Sequence, residues 1–366
     1  MTDSLLGTFL IELDALGMAQ VILLGFIGGV LSGFIGSGGA FFMTPGMMNL
    51  GVPGPIAVAS NITHKFGKAL IGQKRHGEMG HVDKKLAIFM LLTAAAGISL
   101  AVFIINHLFK KGAAHEVSSD AASNLYISLV FVIVLTAVSL SMLRDILGAR
   151  GVGESKPSRK IVDFLSKLRL HPMIHFPVAD VAVSLWVVLV CGLGTGYLAG
   201  TIGVGGFVGV PAMIYVFGVS APVAAGTELF LAMFMGAYGA ISYGLQGMVD
   251  LRLTLLLFLG SLFGVHLGAY GTKVVREVFI RFATACIIIL CVLSRGIAIP
   301  VYLRQLGYLT FDPAWDRYLN YASKGLLYAS GIVGAGTILG FVMKAYLRRR
   351  KVQASLVAGR ETGGTT

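Results

Sequence analysis

The sequence predicts an all-α polytopic membrane protein, built as two parallel four-helix repeats with a broken first helix in each, plus one extra C-terminal helix. Three observations predict it. Hydrophobic residues make up 56% of the 366-residue chain and charged residues only 13%, about half the roughly 25% usual in a soluble domain. A globule of this composition could not cover its own surface with polar groups. Apolar runs long enough to cross a bilayer recur from end to end. Finally, the first half of the chain is repeated in the second. Together these exclude a disordered chain, a coiled coil and an ordinary soluble enzyme.

The apolar runs fall at about 19–43, 55–73, 85–109, 124–147, 179–202, 221–245, 253–272, 279–299 and 321–346. They divide the chain into a first transmembrane repeat (1–147), a basic linker (148–178), a second repeat (179–300) and a C-terminal extension (301–366). The second run is interrupted by His64, Lys65 and Lys68. The first 18 residues hold no Lys or Arg, so no cationic leader precedes the first run and that run is expected to stay in the mature protein.

The net charge is +12, and most of it sits in short loops, where Lys and Arg orient spans in a membrane. An N-terminus inside the cell puts Lys74, Arg75, Lys84, Lys85 and the Arg144–Arg169 loop in the cytoplasm, and the uncharged loops 44–54 and 217–221 outside. Arg159–Leu170 reads either as an amphipathic surface helix or as a solvated linker. One cluster resists this scheme: with nine spans, Arg348, Arg349, Arg350 and Lys351 fall outside.

The repeat is seen by comparing each residue with the one 167 positions later. Residues 25–100 against 192–267 give 21 identities in 76 positions, where a chain of this composition gives roughly 6 by chance. Four spans separate the copies, so both are expected to enter the membrane in the same sense.

The repeated glycines have two readings. Gly25, Gly29 and Gly33, like Gly192, Gly196 and Gly200, are spaced by four and form bare helix faces for close packing. Gly36-Ser37-Gly38-Gly39 and Gly203-Val204-Gly205-Gly206 are different. Glycines this dense destabilise a helix by about 1 kcal/mol each relative to Ala, and Pro45 and Pro211 follow them. Each first helix is expected to break there and continue as a short segment. Broken backbone at membrane depth is tolerated where it is buried or lines a cavity, and its free N–H groups attract anions. A plain kink is the alternative.

Asn61, Lys65 and Lys68 share one helix face. Lys65 is either a functional intramembrane cation or a side chain that snorkels to the interface. His64 reads as a hydrogen-bonded packing residue. The position of Asn61 in the second copy holds Glu228, preceded by Thr227; Glu228 is placed to pair with Lys65 or to carry a proton. Asp83 and Asp250 each precede an apolar run and read as helix-start caps. The three cysteines lie in apolar runs without CxxC spacing or a His neighbour, so no disulfide framework, metal site or cofactor is expected. No P-loop, HExxH, GxSxG or aromatic-rich basic patch occurs, and no nucleic-acid partner is expected.

The pattern Ser32-Gly33, Gly36, Gly38-Gly39, Pro45, Gly51-Val52-Pro53 and Gly80-His81-Val82-Asp83, matched again in the second copy, resembles the sulfite exporter TauE/SafE family over about residues 19–300. The resemblance implies a multi-pass permease of the bacterial inner membrane with two four-helix repeats, moving small sulfur-containing or organic anions such as sulfite or sulfonates. Three features depart from the family pattern: the basic second span, the long linker, and residues 300–366. The expected function is a secondary transporter of a small anion. Its site would comprise Gly36, Ser37, Gly38, Gly39, Asn61, Lys65, Gly203, Gly205, Gly206, Thr227 and Glu228, with the lipid bilayer as partner and proton or ion coupling and homo-oligomerisation left open. A cation or metal permease is the rival within transport, and a membrane-embedded enzyme the rival outside it.

Overall fold

A computed structural model describes residues 13–35, 39–113, 119–148, 171–203, 205–272 and 277–362. Of the described residues, 83% are helical. The helices of the first copy are α1 (Ala15–Ile35), α2 (Ala40–Asn49), α3 (Gly54–Glu78), α4 (Lys84–Ala113) and α5 (Ser119–Gly148). A small antiparallel hairpin follows, β1 (Met173–Phe176) with β2 (Val181–Ser184). The second copy holds α6 (Leu185–Ile202), α7 (Gly206–Pro211) continued by a π-helical turn (Ala212–Val216), α8 (Ala221–Gly244), α9 (Leu251–Thr272) and α10 (Glu277–Gln305). Helix α11 (Ala314–Thr362) closes the chain. The run expected from 179 thus starts with strand β2, and its helix begins at Leu185.

Among the described residues, seven helices are long and apolar enough to span a membrane: α1, α4, α5, α6, α8, α9 and α10. Helix α3, with its basic residues, still runs 25 residues, about 37 Å at the α-helical rise. Large apolar side chains such as Leu92, Phe103, Ile133, Val190, Leu255 and Ile332 are more than half exposed outside the core, as expected where the solvent is lipid. The chain is a multi-pass membrane protein.

The bare glycine faces pack as expected. A Cβ at Gly25, Gly29 or Gly33 would run into the backbone of Leu257, Ser261 or Val265 of α9; Gly192 and Gly196 are closed in the same way by Met90 and Ala94 of α4, and Gly200 by Ala101 and Ile98. Both series rise together, so α1 lies parallel to α9 and α6 parallel to α4.

The short segments turn back. Gly28 of α1 faces Met43, Gly39 lies against Gly28 and Ser32, and Gly46 faces Leu24, so α2 descends alongside α1 as the second arm of a hairpin. In the second copy Gly205 faces Ala199 and Thr195, and Gly209 again faces Thr195, so α7 turns back along α6. The expected break is present, but the short segment reverses the chain instead of carrying it onward. Residues 36–38 and 204, at the two turning points, lie outside the described residues.

This reversal changes the sense of the repeat. Each copy makes five traverses, the short segment included, and five is odd. Helix α9 is the counterpart of α4, which runs opposite to α1 through the α3–α4 turn; yet α9 runs parallel to α1. The copies are therefore inverted, not parallel. The expectation of four passages per copy missed the short segment, because ten residues of α2 are too few to stand out as a span.

The inversion also resolves the misplaced basic cluster. Asp83, before α4, accepts hydrogen bonds from Val178 N and Ala179 N, both 3.0 Å, so the 79–83 turn and the β hairpin share one face with Lys84 and Lys85. Helix α11 begins on the other face, where Ser323 meets Asn49. It rises parallel to α1, with Gly331 on Ile27 and Gly334 on Leu31, and so carries Arg348–Lys351 to the basic face. The start of α1 lies on the opposite face from the 79–83 turn; the sequence reading had placed both on one side. The expected surface helix at 159–170 lies outside the described residues.

Candidate functional site

Helices α3 and α8 cross antiparallel at the centre of the molecule, with Gly236 on Phe66 and Gly239 on Ile62. Missing side chains let the two backbones approach, and the polar residues of both copies are carried to this crossing. Lys65 of α3 and Glu228 of α8 meet there: Nζ lies 3.5 Å from Oε1, with the two side chains 8% and 0% exposed. Neither the ammonium nor either carboxylate oxygen has a hydrogen-bond partner. The pair is an ion pair at the long end of contact.

Gly209 makes room for the carboxylate, since a Cβ there would come within 2.5 Å of Glu228 Oε2 and 3.2 Å of Thr195 Cγ2. Thr195 Oγ1 is itself buried without a partner. A small cleft leads to Lys65, lined by Ala40, His64, Lys68, Ala69, Leu229 and Ala232. It has room for about one water molecule. Ala40 opens helix α2, so the electropositive end of that helix borders the cleft.

Asn61 stands one turn before Lys65 and ties the two hairpins together. Its amide donates to Ala40 O at 2.9 Å and to Thr44 Oγ1 at 2.8 Å, and Thr44 donates to Ile202 O at 3.1 Å. Gly203 caps α6 with φ +76°, and a Cβ there would stand 2.8 Å from Asn61 Nδ2 and 3.2 Å from Thr44 Oγ1. Glycine is needed twice over at this position, for the left-handed backbone and for the close approach. Asn61 Oδ1 remains buried and unpartnered.

The other expected site residues fall as follows. Gly36, Ser37 and Gly38 lie outside the described residues. Gly39, Gly205 and Gly206 are buried; Gly39 and Gly205 are the positions where α2 and α7 touch the helices they fold against. Thr227 points towards α4, where its hydroxyl accepts from Asp83 N at 3.0 Å, and so supports a helix start next to Glu228. Asp83 caps α4 through Leu86 N at 2.9 Å, and Asp250 caps α9 through Leu253 N at 3.3 Å. His64 bonds Ser261 Oγ at 2.7 Å and packs edge-on to Phe258, as expected of a packing histidine.

Four residues escaped the sequence reading of the site. Lys68 shares a helix face with Lys65 but was left out of the expected site, yet it lines the cleft and donates to Ser32 Oγ; its i+3 spacing from Lys65 was the available signal. Thr44, Thr195 and Gly209 gave none, being neutral residues within apolar runs. Among the described residues no group of three or more His, Cys, Asp or Glu could hold a metal ion.

This geometry, two inverted copies whose broken helices converge on a buried charge pair, is that of a membrane carrier. The model of the sulfite exporter TauE/SafE family matches residues 21–295. The chain belongs to the sulfite exporter TauE/SafE family. It is similar to a probable membrane transporter protein, YjnA, of Bacillus subtilis, with 27% identity over 271 residues, covering 74% of this chain and 96% of the relative. It is also similar to a second probable membrane transporter protein of the same organism, YunE, with 24% identity over 258 residues, covering 68% of this chain and 86% of the relative. No solved structure matches. The TauE/SafE match ends at Arg295, so α11 and the end of α10 are additions to the shared core.

Proposed function

We propose that the chain is a secondary permease of the bacterial inner membrane, with its basic face in the cytoplasm, moving a small anion such as sulfite, a sulfonate or a related organic anion. The family supports transport; the observation that carries the anion is Lys65. It is a buried ammonium whose three donors have no hydrogen-bond acceptor, with a second lysine in the same cleft. A cation held at membrane depth is costly unless a pathway or partner uses it. Glu228 holds Lys65 charged while the site is empty, and an oxyanion entering the cleft would replace the long ion pair with charge-assisted hydrogen bonds. Binding, release and reorientation of the two hairpins account for the cycle, and the reading assigns no catalytic step.

The test is uptake of labelled sulfite and methanesulfonate into proteoliposomes containing the full chain. Wild type is expected to take up at least one of them. Lys65→Gln is expected to lower the initial rate about 10- to 100-fold, the equivalent of one charge-assisted hydrogen bond of about 1.5–3 kcal/mol. Uptake of neither anion, or equal rates in Lys65→Gln, would overturn the reading. Uptake of a metal cation that Glu228→Gln abolishes and Lys65→Gln spares would favour the cation permease.

A further inference from the structure

The Lys65–Glu228 pair has a consequence for energetics, which rests on the anion reading above. Glu228 is fully buried, and its carboxylate has one cation within reach and no hydrogen-bond donor. We propose that the permease moves its anion together with a proton, and that Glu228 carries that proton.

The groups around Glu228 define the cycle. From α3 it faces Lys65, with His64 and Lys68 farther along the cleft. His64 is engaged by Ser261 and Lys68 by Ser32. From α4 the nearest acid is Asp83, beside Thr227, whose carboxylate already accepts from Leu86 N, Val178 N and Ala179 N. From α6 and α7 the neighbours are Thr195 and Gly209, neither of them titratable. Glu228 therefore depends on Lys65 alone for compensation.

In the empty site the pair is Lys65 as ammonium and Glu228 as carboxylate, with no net charge. An incoming monovalent anion takes the Lys65 ammonium as its partner. The carboxylate left behind would be an isolated buried charge, which a low-dielectric interior strongly disfavours. A proton from the water that delivers the anion binds a Glu228 oxygen and removes that charge. The loaded site then holds anion, ammonium and neutral acid, again with no net charge. On the far side the anion leaves, the proton leaves with it, and the ion pair closes. One anion and one proton cross together, no net charge moves, and the cycle is indifferent to membrane potential. The first copy has no such group, because Asn61 occupies the aligned position.

The test uses methanesulfonate, the anion of a strong acid, which brings no proton of its own at any working pH. Proteoliposomes of the full chain carry a pH-sensitive dye in the lumen and are given an inward methanesulfonate gradient. The lumen is expected to acidify with uptake, at one proton per anion. An inwardly directed proton gradient of one pH unit should accumulate the anion about tenfold, the ratio set by 1.36 kcal/mol per unit. An imposed potassium diffusion potential should change neither result. In Glu228→Gln, whatever uptake remains should no longer acidify the lumen. Should that variant fail to fold, the wild-type stoichiometry and tenfold accumulation decide alone. Methanesulfonate uptake without acidification, accumulation that follows the potential, or acidification surviving in Glu228→Gln would each overturn the coupling and leave the anion reading standing. No movement of methanesulfonate overturns the coupling as well, and sulfite uptake by the same vesicles then tells whether the anion reading survives.

Discussion

The two hairpins, α1–α2 and α6–α7, come from one duplicated motif and have been put to different uses. In the first, the residue at the crossing is Asn61, whose amide is satisfied twice by α2. Phe42 fills the position aligned with Gly209, and all ten residues of α2 are buried. The far end of α2 is held by Asn49, which joins Arg295 and Ser323 in a buried hydrogen-bonded cluster. Helix α11 lies over it, with Gly331 against Phe42. Against the second hairpin, Glu228 of α8 replaces Asn61 of α3, and no hydrogen bond holds it. Glycine replaces Phe42, α7 lasts six residues before passing into a π turn, and several of its residues are only half-buried. The difference teaches that a repeat fixes the path of the chain but not the chemistry at its centre. At the aligned crossing position one copy carries a neutral, closely held amide and the other a buried carboxylate whose partner can be exchanged.

The comparison breaks most sharply on topology. Met79 and Gln246 occupy aligned positions and are both exposed. In inverted copies they lie on opposite faces of the membrane; in parallel copies they would share one. Single cysteines at the two positions, in a background lacking the three native cysteines, are expected to differ completely towards an impermeant thiol reagent added to whole cells. Position 246 should label and position 79 should be protected until the cells are opened. Equal behaviour of the two sites would refute the inversion.

A smaller effect separates the two crossing residues. Glu228→Ala leaves Lys65 buried without its counter-charge, which costs about 3–5 kcal/mol. Asn61→Ala removes two neutral hydrogen bonds and is expected to cost about 1–3 kcal/mol. Denaturation midpoints in detergent should rank them in that order. Combining Lys65→Met with Glu228→Met should recover most of the stability lost in Glu228→Ala, since no charge is then left alone, while anion uptake stays as low as in Lys65→Gln. Equal midpoints for Glu228→Ala and Asn61→Ala would mean that the ion pair does not distinguish the copies.

How much of this was legible in the sequence follows from what each feature needs. The long helices were readable because lipid forces apolar side chains into runs of nearly 20 residues. The bare faces of Gly25–Gly33 and Gly192–Gly200 were readable because a spacing of four defines a helix side. The partnership of Lys65 with Glu228 was readable because charges are so scarce in the spans. The direction of the chain after each glycine cluster was not readable: Gly36–Gly39 says that the helix stops, but nothing local says that α2 folds back. That single omission turned an inverted repeat into a parallel one and put Arg348–Lys351 on the wrong side. The supporting neutral groups were hidden for another reason. Thr44 matters through a bond to Ile202, 158 residues away, and Thr195 and Gly209 through their place beside the Glu228 carboxylate, and neither leaves a mark on local composition.

The smallest predicted effect concerns what the two copies still share. Gly29 and Gly196 are aligned, and in each a methyl group would be driven into the backbone of a neighbouring helix, at Ser261 and Ala94 respectively. Gly29→Ala and Gly196→Ala are therefore expected to destabilise by similar amounts, about 1–3 kcal/mol each, the usual range for overpacking. Gly194 lies on the same helix as Gly196, but a Cβ there would meet nothing within 4 Å. Gly194→Ala should be neutral or stabilising by up to about 1 kcal/mol, because alanine is the better helix former. The three midpoints, measured under one set of conditions, separate close packing from simple glycine tolerance. If Gly194→Ala costs as much as Gly196→Ala, the glycines act through backbone flexibility and not through contact. If Gly29→Ala is harmless while Gly196→Ala is not, even the packing seams of the two copies have diverged.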